Sequence, residues 1–192
     1  RKNEILRPPT ANVDLAVLVV STVQPTPNLL VLDKLIAVCE SKGIEPILVF
    51  TKNDLAGDEE LEALYSQAGF RVFRSALSQK DYGELLNYMA GKLSVFIGNS
   101  GVGKSTLMNA LIPNLQLLTA QISDKLGRGR HTTRHVELYG LPGGGFAADT
   151  PGFSTVELDQ YGWIRKEELA GCFREFGAYT SDCRFPDCSH RR

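Results

Sequence analysis

Residues 98–105, with the sequence GNSGVGKS, match the pattern G-x-x-x-x-G-K-S, which cradles phosphate groups when it lies between a strand and a helix. Glycines allow backbone N–H groups to close on phosphates, and the following helix directs its positive dipole end at them. Lys104 is expected to neutralise the β- and γ-phosphates during catalysis, while the Ser105 hydroxyl binds Mg²⁺. We call residues 98–105 the phosphate loop. The alternative is a glycine-rich turn that only caps a helix.

A second motif, ADTPG at residues 148–152, follows an apolar run. Asp149 is expected to hold Mg²⁺ through water, and the N–H of Gly152 to meet a γ-phosphate. D-T-P-G alone is a common turn, but its position downstream of the phosphate loop favours the γ-phosphate sensor of a GTPase. RHTTR, at 130–134, lies between the two motifs, where a mobile loop would add a threonine to the Mg²⁺ shell. Thr133 is the predicted residue and Thr132 the alternative.

Base recognition is predicted upstream of the phosphate loop, at the ends of two consecutive strands. In TKND (51–54), the Asp54 carboxylate would accept hydrogen bonds from the ring N–H and exocyclic amine of guanine, which adenine does not present. The stem of Lys52 would lie over the purine plane. In SAL (75–77), backbone N–H groups would meet the guanine oxygen. Each motif is weak alone, and Asp54 could equally cap a helix. Together they indicate a guanine site, since strand ends of an α/β sheet collect binding groups.

The resulting order is base motif, S-A, phosphate loop, threonine loop and D-x-x-G, whereas an ordinary GTPase begins with the phosphate loop. The chain is therefore predicted to be circularly permuted, which a fold with neighbouring termini tolerates. The predicted nucleotide-binding residues are Thr51, Lys52, Asp54, Ser75, Ala76, Gly98, Asn99, Ser100, Gly101, Val102, Gly103, Lys104, Ser105, Thr106 and Gly152.

The elements that must position these residues alternate between strands and helices, which predicts an α/β fold with a mostly parallel sheet and helices on both faces. Continuous apolar runs predict strands at 13–21, 45–51, 70–75 and 93–98, and helical spacing predicts helices at 28–43, 57–69, 80–92 and 104–112. LPGGG at 141–145 is predicted to connect an antiparallel hairpin.

Composition limits the function classes. The net charge of −1 argues against a bulk polyanion binder, so nucleic-acid contact would need a local patch such as the basic cluster at 125–135. That cluster is either a solvated loop or a switch that also touches RNA phosphate. No apolar run approaches the roughly 20 residues of a membrane span. Cys39 is expected to be a buried apolar residue, and a reducing cytoplasm and a monomeric state are the expectations.

These motifs resemble the RsgA/YjeQ family of ribosome small-subunit-dependent GTPases through RPPTANVD, TKNDL, GNSGVGKSTLMN, ISDKLGRGRHTTRHVELY, DTPGF and CRFPDCSH. The resemblance covers essentially the whole chain and implies a permuted P-loop GTPase domain at 13–160. Residues 1–12 would be a linker from an N-terminal OB-fold, and 161–192 the start of a zinc-binding domain. The implied function is GTP hydrolysis stimulated by the small ribosomal subunit during its late maturation. The alternative is a GTP-controlled rRNA-binding assembly factor in which hydrolysis only resets binding.

The same resemblance bears on the tail, where three ligand-type residues form the pattern C-x4-C-x-H: Cys183, Cys188 and His190. They suit half of a zinc site. In family members the fourth ligand lies at a position that would fall beyond residue 192. The fourth ligand is therefore absent from residues 1–192 unless Cys172 substitutes for it. The chain departs from the general base motif at Thr51, where asparagine is usual, and this is expected to be tolerated because Asp54 discriminates the base.

Water activation requires a polar group that the D-x-x-G motif lacks here. Ras-type enzymes place a glutamine directly after this motif to orient the attacking water, but this chain has Phe153 there. His131, in the G-R-H-T-T stretch that the resemblance covers, is the predicted catalytic candidate, since imidazole exchanges hydrogen bonds with water near neutrality. The alternative is that His131 contacts only RNA or solvent.

Overall fold

A computed structural model of the chain describes residues 12–56, 58–76, 78, 81–117, 137–149 and 164–180. Within these residues, six strands form one sheet in the order β3-β2-β1-β4-β6-β5. The strands are β1 (Leu15–Ser21), β2 (Glu45–Thr51), β3 (Arg71–Ser75), β4 (Leu93–Ile97), β5 (Glu137–Gly140) and β6 (Phe146–Asp149). All neighbours are parallel except β5 and β6, which form the predicted antiparallel hairpin. The prediction of a mostly parallel sheet is confirmed.

Four helices cover the two faces of this sheet: α1 (Leu29–Ser41), α2 (Glu59–Gln67), α3 (Gly83–Met89) and α4 (Lys104–Leu111). α1 begins where the Asn28 side chain accepts a hydrogen bond from the Val31 N–H, and α2 where the Asp58 side chain accepts one from the Leu61 N–H. Past the end of α1, Gly43 takes a positive φ of 66°. Local capping chemistry therefore sets these boundaries, close to those predicted.

The central strand β1 is buried along its whole length because alternate side chains enter two separate cores. Leu15, Val17 and Val19 pack in the core that includes residues of α3 and α4, such as Met89 and Met108. Ala16, Leu18 and Val20 pack in the core that includes residues of α1 and α2, such as Ile36 and Tyr65. The sheet is thus covered on both faces, as predicted, and Cys39 is a buried residue of the second core.

α3 is shorter than the predicted helix at 80–92. Its backbone leaves the helical region at Ala90, where ψ is 131°. The Gly91 N–H then donates to the Gly144 carbonyl (3.1 Å), and Lys92 O accepts from the Phe146 N–H (3.0 Å). The approach is so close that a Cβ at Gly145 would lie 2.5 Å from Lys92 O. Pairing with the hairpin ends this helix, and such pairing between distant segments is invisible in helical periodicity.

The parallel strands deliver their carboxyl ends to one edge of the sheet. Thr51 at the end of β2 is in register with Ser21 of β1 on one side and Ser75 of β3 on the other. Asp149 at the end of β6 is in register with Phe96 of β4. The chain runs from β1 toward β2 and β3, then resumes at β4 on the other side of β1. This reversal between β1 and β4 is a topological switch point, where α/β sheets bind ligands.

Residues 164–180 pack on the face that carries α1. They form α5 (Lys166–Leu169), 3-10 turns at Ala170–Cys172 and Arg174–Phe176, and α6 (Gly177–Thr180). The Arg174 guanidinium pairs with Glu40 of α1 through Nε (2.7 Å) and a terminal nitrogen (2.6 Å), and donates to Gly69 O (2.7 Å). It also stacks over the Phe70 ring, 4.5 Å from its centroid. None of the helices in the described ranges is long and apolar enough to span a bilayer.

Candidate nucleotide-binding site

The phosphate loop forms a tight turn between β4 and α4 that only glycines permit. A Cβ at Gly98 would lie 2.8 Å from Val19 O and 2.9 Å from a methyl carbon of Val102. Gly101 and Gly103 have φ values of 81° and 98°, which side-chain-bearing residues rarely adopt. Gly103 is also the N-cap of α4, so the phosphate loop leads directly to the positive end of the dipole of this helix. The first N–H groups of any α-helix lack partners within it and are suited to an anion.

Two of the predicted charged residues meet at this loop. Lys104 Nζ lies 3.1 Å from Asp149 Oδ1, with side chains 15% and 26% exposed. That carboxylate oxygen is buried and accepts no well-oriented hydrogen bond within the described residues. Asp149, the first residue of D-T-P-G, and the phosphate loop are therefore neighbours in space, as the prediction of a shared phosphate site requires.

The base motif is joined to the phosphate loop by Thr51. We call residues 51–56 the base loop. Thr51 is 4% exposed, and its hydroxyl donates to Val102 O in the phosphate loop at 2.5 Å. Its Cβ also lies 3.6 Å from the position that a Cβ at Gly103 would take. Threonine, in place of the usual asparagine, thus links the two halves of the site through its own hydroxyl.

Lys52 makes a second link between the same two loops. Its backbone has a φ of 62°, unusual for a residue with a side chain. Its Nζ donates to Gly101 O in the phosphate loop (2.9 Å) and to the backbone carbonyl of Gln24 after β1. The Lys52 side chain therefore spans the distance from the base loop to the phosphate loop.

Asp54 lies in the turn that follows, and its side chain is exposed. In the part of the chain that the structure describes, no hydrogen bond or ion pair engages its carboxylate. The turn itself is held by Thr22, whose hydroxyl donates to Ala56 O (2.6 Å) and whose N–H donates to Thr51 O (3.2 Å). A fixed backbone with an available carboxylate suits recognition of two neighbouring N–H groups.

The S-A motif completes the same edge. The Ser75 hydroxyl is buried and shares a hydrogen bond with the Tyr82 hydroxyl at 3.0 Å. Tyr82 also contacts Ala76 O at 3.3 Å. Because Ser75 is in register with Thr51, the S-A segment lies beside the base loop. The two predicted base-recognition motifs are brought together.

Several supporting residues were not predicted from the sequence: Thr22, Gln24, Asn53, Glu62 and Tyr82. Thr22 and Gln24 follow β1, and the only sequence signal for them is that a central parallel strand ends there. Glu62 and Tyr82 belong to helical segments whose pattern predicts packing, not contact with loops. Contacts of this kind depend on which strands become neighbours.

The remaining predicted site residues lie outside the described residues: His131, Thr132, Thr133, Gly152, Cys183, Cys188 and His190. Phe153 also lies outside them. Cys172, the alternative zinc ligand, is described. It is buried, its thiol donates to Glu168 O (3.4 Å), and burial raises the pKa of that thiol, which disfavours the thiolate that zinc binds. In the described ranges, no three histidine, cysteine, aspartate or glutamate residues cluster to hold a metal.

The fold and the site together define a P-loop nucleotide-binding protein in which the base loop precedes the phosphate loop along the chain. A family model described as RsgA GTPase matches residues 1–159. The chain belongs to the RsgA GTPase family.

Relatives and solved structures agree with this assignment. The chain is 46% identical over 194 residues to the small ribosomal subunit biogenesis GTPase RsgA of Caldanaerobacter subterraneus subsp. tengcongensis, covering 99% of this chain and 64% of that protein. It is 48% identical to the protein of the same name from a Geobacillus species, covering 99% and 66%. The chain thus spans just under two thirds of the curated relatives that it matches.

Two solved structures share the fold. YjeQ from Thermotoga maritima is 32% identical with a TM-score of 0.72, and the match covers 99% of this chain and 64% of that one. YloQ, described as a circularly permuted GTPase, is 36% identical with a TM-score of 0.71, and the match covers 100% and 62%. The predicted circularly permuted P-loop GTPase fold is therefore confirmed.

Proposed function

We propose that this chain binds guanine nucleotide along the carboxyl edge of the sheet and hydrolyses GTP to GDP and phosphate. One observation carries the proposal: the base loop, the phosphate loop and Asp149, which are far apart in sequence, contact one another in turn at the carboxyl edge of the sheet. The Thr51 hydroxyl joins the base loop to the phosphate loop, and the Lys104–Asp149 ion pair joins the phosphate loop to the end of β6. The exposed Asp54 carboxylate in the base loop and Lys104 in the phosphate loop support a site that takes the base at one end and the phosphates at the other.

We further propose that Ser105, Asp149 and Thr133 hold Mg²⁺ with the nucleotide. The buried Asp149 oxygen, which lacks a well-oriented hydrogen bond within the described residues, fits this role because Mg²⁺ prefers carboxylate, hydroxyl and water oxygens. When bound, Mg²⁺ neutralises charge on the β- and γ-phosphate oxygens. Asp149 and Lys104 neutralise each other in the arrangement described, whereas in a nucleotide complex Asp149 would help to hold the metal and Lys104 would neutralise the phosphates. Thr133 enters on its sequence position alone.

Nucleotide affinity tests the base assignment. The chain is expected to bind GTP far more tightly than ATP, as measured by calorimetric titration in the presence of Mg²⁺. Asp54→Asn is expected to weaken GTP binding, because the amide presents a donor where guanine also presents one. Losing charge-assisted hydrogen bonds costs about 1.5–3 kcal/mol each. Equal affinity for ATP and GTP in the wild type, or unchanged GTP affinity in Asp54→Asn, would remove the guanine assignment.

Small ribosomal subunits are the proposed partner, and the cytoplasm, where they are assembled, is the proposed location. The support comes from relatives named small ribosomal subunit biogenesis GTPase RsgA. Turnover of GTP is expected to rise when purified small subunits are added. The affinity of the chain for small subunits is measured with GTP, with a nonhydrolysable analogue and with GDP. The comparison shows whether GTP hydrolysis drives release of the chain from the subunit. A rate of GTP turnover that does not change when small subunits are added would refute the proposal that they are the partner.

His131 is proposed to position the attacking water, since Phe153 offers no hydrogen bond. The expected result for His131→Ala is GTP affinity close to wild type with most subunit-stimulated turnover lost. Full stimulated turnover in that variant would transfer water positioning to a ribosomal group.

Cys183, Cys188 and His190 are proposed to bind zinc together with a ligand beyond residue 192, in a domain that follows the GTPase domain. The proposal rests on their spacing. Metal analysis of a chain extended past residue 192 is expected to find about one zinc per chain. A folded, metal-free extended chain would exclude the site.

A further inference from the structure

The carboxylate of Glu62 differs from those of the other acidic residues of α2. Glu59 and Glu60 in the first turn are exposed, as expected for acids that complement a helix N-terminus. Glu62 is 6% exposed and faces the sheet. Burial of a carboxylate is costly unless strong hydrogen bonds compensate it. The hydrogen bonds that compensate the burial of this carboxylate therefore indicate its role.

Its two oxygens bind two different segments of the nucleotide site. Oε1 accepts a hydrogen bond from Asn53 Nδ2 at 2.7 Å, and Oε2 accepts one from Arg74 Nε at 2.5 Å. Asn53 is the neighbour of Asp54 in the base loop. Arg74 directly precedes Ser75 of the S-A motif. One buried carboxylate thus bridges the base loop and the end of β3, the two segments that are proposed to contact guanine.

The bridge also fixes the orientation of the Asn53 amide. A carboxylate only accepts hydrogen bonds, so the amide must turn its nitrogen to Glu62. The Asn53 oxygen is buried and has no hydrogen-bond partner within the described residues. Among the described residues, Glu62 therefore anchors the Asn53 side chain, and it adds to the Thr22 hydrogen bonds that hold the turn carrying Asp54. Arg74, by contrast, keeps a distant second partner in exposed Glu59, at 3.9 Å.

We infer that Glu62 is a specificity-determining positioning residue, which sets the distance between the Asp54 carboxylate and the S-A backbone through Asn53 and Arg74. The inference rests on the proposed guanine site. Glu62 itself does not touch the base. Its loss is expected to weaken contacts with the guanine edge and to leave the phosphate loop, held through Thr51 and Lys52, in place.

The test compares GDP with inosine diphosphate (IDP), which lacks the exocyclic amine that Asp54 would bind. Glu62→Ala is expected to lower GDP affinity about tenfold, because removal of one buried hydrogen-bond partner typically costs about this much. The loss of IDP affinity is expected to be smaller. The GDP:IDP affinity ratio therefore falls, and KM for GTP rises with kcat unchanged. Asn53→Ala cuts the same bridge without unpairing a buried charge from Arg74, and it covers the case in which Glu62→Ala does not fold.

Glu45→Gln is the matched control. Glu45 also accepts hydrogen bonds from two side chains, those of Tyr88 and Lys92, but it does so at the amino end of β2, away from the site. It is expected to alter stability and leave the GDP:IDP ratio unchanged. An unchanged ratio in Glu62→Ala and Asn53→Ala, or an equal loss for both nucleotides, would overturn the inference while the guanine site stands. A wild-type chain that binds GDP and IDP equally would overturn the guanine site and the inference together.

Discussion

Replacing Thr51 by valine removes one hydroxyl and keeps the shape of the side chain. That hydroxyl donates to Val102 O at 2.5 Å and lies 3.3 Å from Val20 O, in a region where Thr51 is 4% exposed. Valine would leave the Val102 carbonyl without this donor. An unsatisfied buried acceptor costs about 1–3 kcal/mol. A loss of about 1.5 kcal/mol in the free energy of unfolding corresponds to a fall in Tm of ~3–6 °C for a chain of this size.

Thr51→Ser separates the hydrogen bond from packing. Serine keeps the hydroxyl and loses a methyl group, whose burial contributes about 0.8 kcal/mol. If the hydrogen bond to Val102 O dominates, urea denaturation ranks wild type above Thr51→Ser and Thr51→Ser above Thr51→Val. GDP affinity follows the same order, because the hydroxyl joins the base loop to the phosphate loop. A valine variant that is more stable than the serine variant, or equal to wild type, would refute the reasoning.

Three further changes probe other contacts. Gly98→Ala would place a methyl group 2.8 Å from Val19 O, so overpacking is expected to cost about 1–3 kcal/mol in urea unfolding and to lower GDP affinity. Arg174→Ala removes a paired guanidinium that is 32% exposed, and unfolding is expected to become easier by about 1–2 kcal/mol while nucleotide affinity is retained. Burial tends to raise the pKa of Glu45, but hydrogen bonds from neighbouring Tyr and Lys side chains outweigh it and lower that pKa below 4.5. Glu45 therefore stabilises the fold above that pH, and the stability difference between wild type and Glu45→Gln is expected to shrink as pH falls below it.

Much of the fold follows from local pattern. The run at 15–20 is apolar at every position, and such a strand has to be covered on both faces. Asn28 and Asp58 place two helix starts, since their side chains satisfy N–H groups that the helix leaves unpaired. The end of α3 could not be predicted in this way, because hydrogen bonds to the hairpin decide it.

The sequence by itself determined which chemical groups are present and their order along the chain. Three short motifs predict binding of phosphate, base or metal: G-x-x-x-x-G-K-S, T-K-N-D and D-T-P-G. They can do so because backbone freedom and side-chain charge are properties of short segments. The circular permutation also follows from that order alone.

Only the tertiary structure decided how these groups support each other. Thr51 meets Val102, and Lys52 meets Gly101, across about fifty residues of chain. Glu62 joins Asn53 to Arg74. A hydrogen bond requires two atoms within about 3 Å, and that distance is fixed by strand order and register, not by the periodicity of either segment. The motifs therefore predict which residues form the site, while the packing of β1 between β2 and β4 brings those residues together.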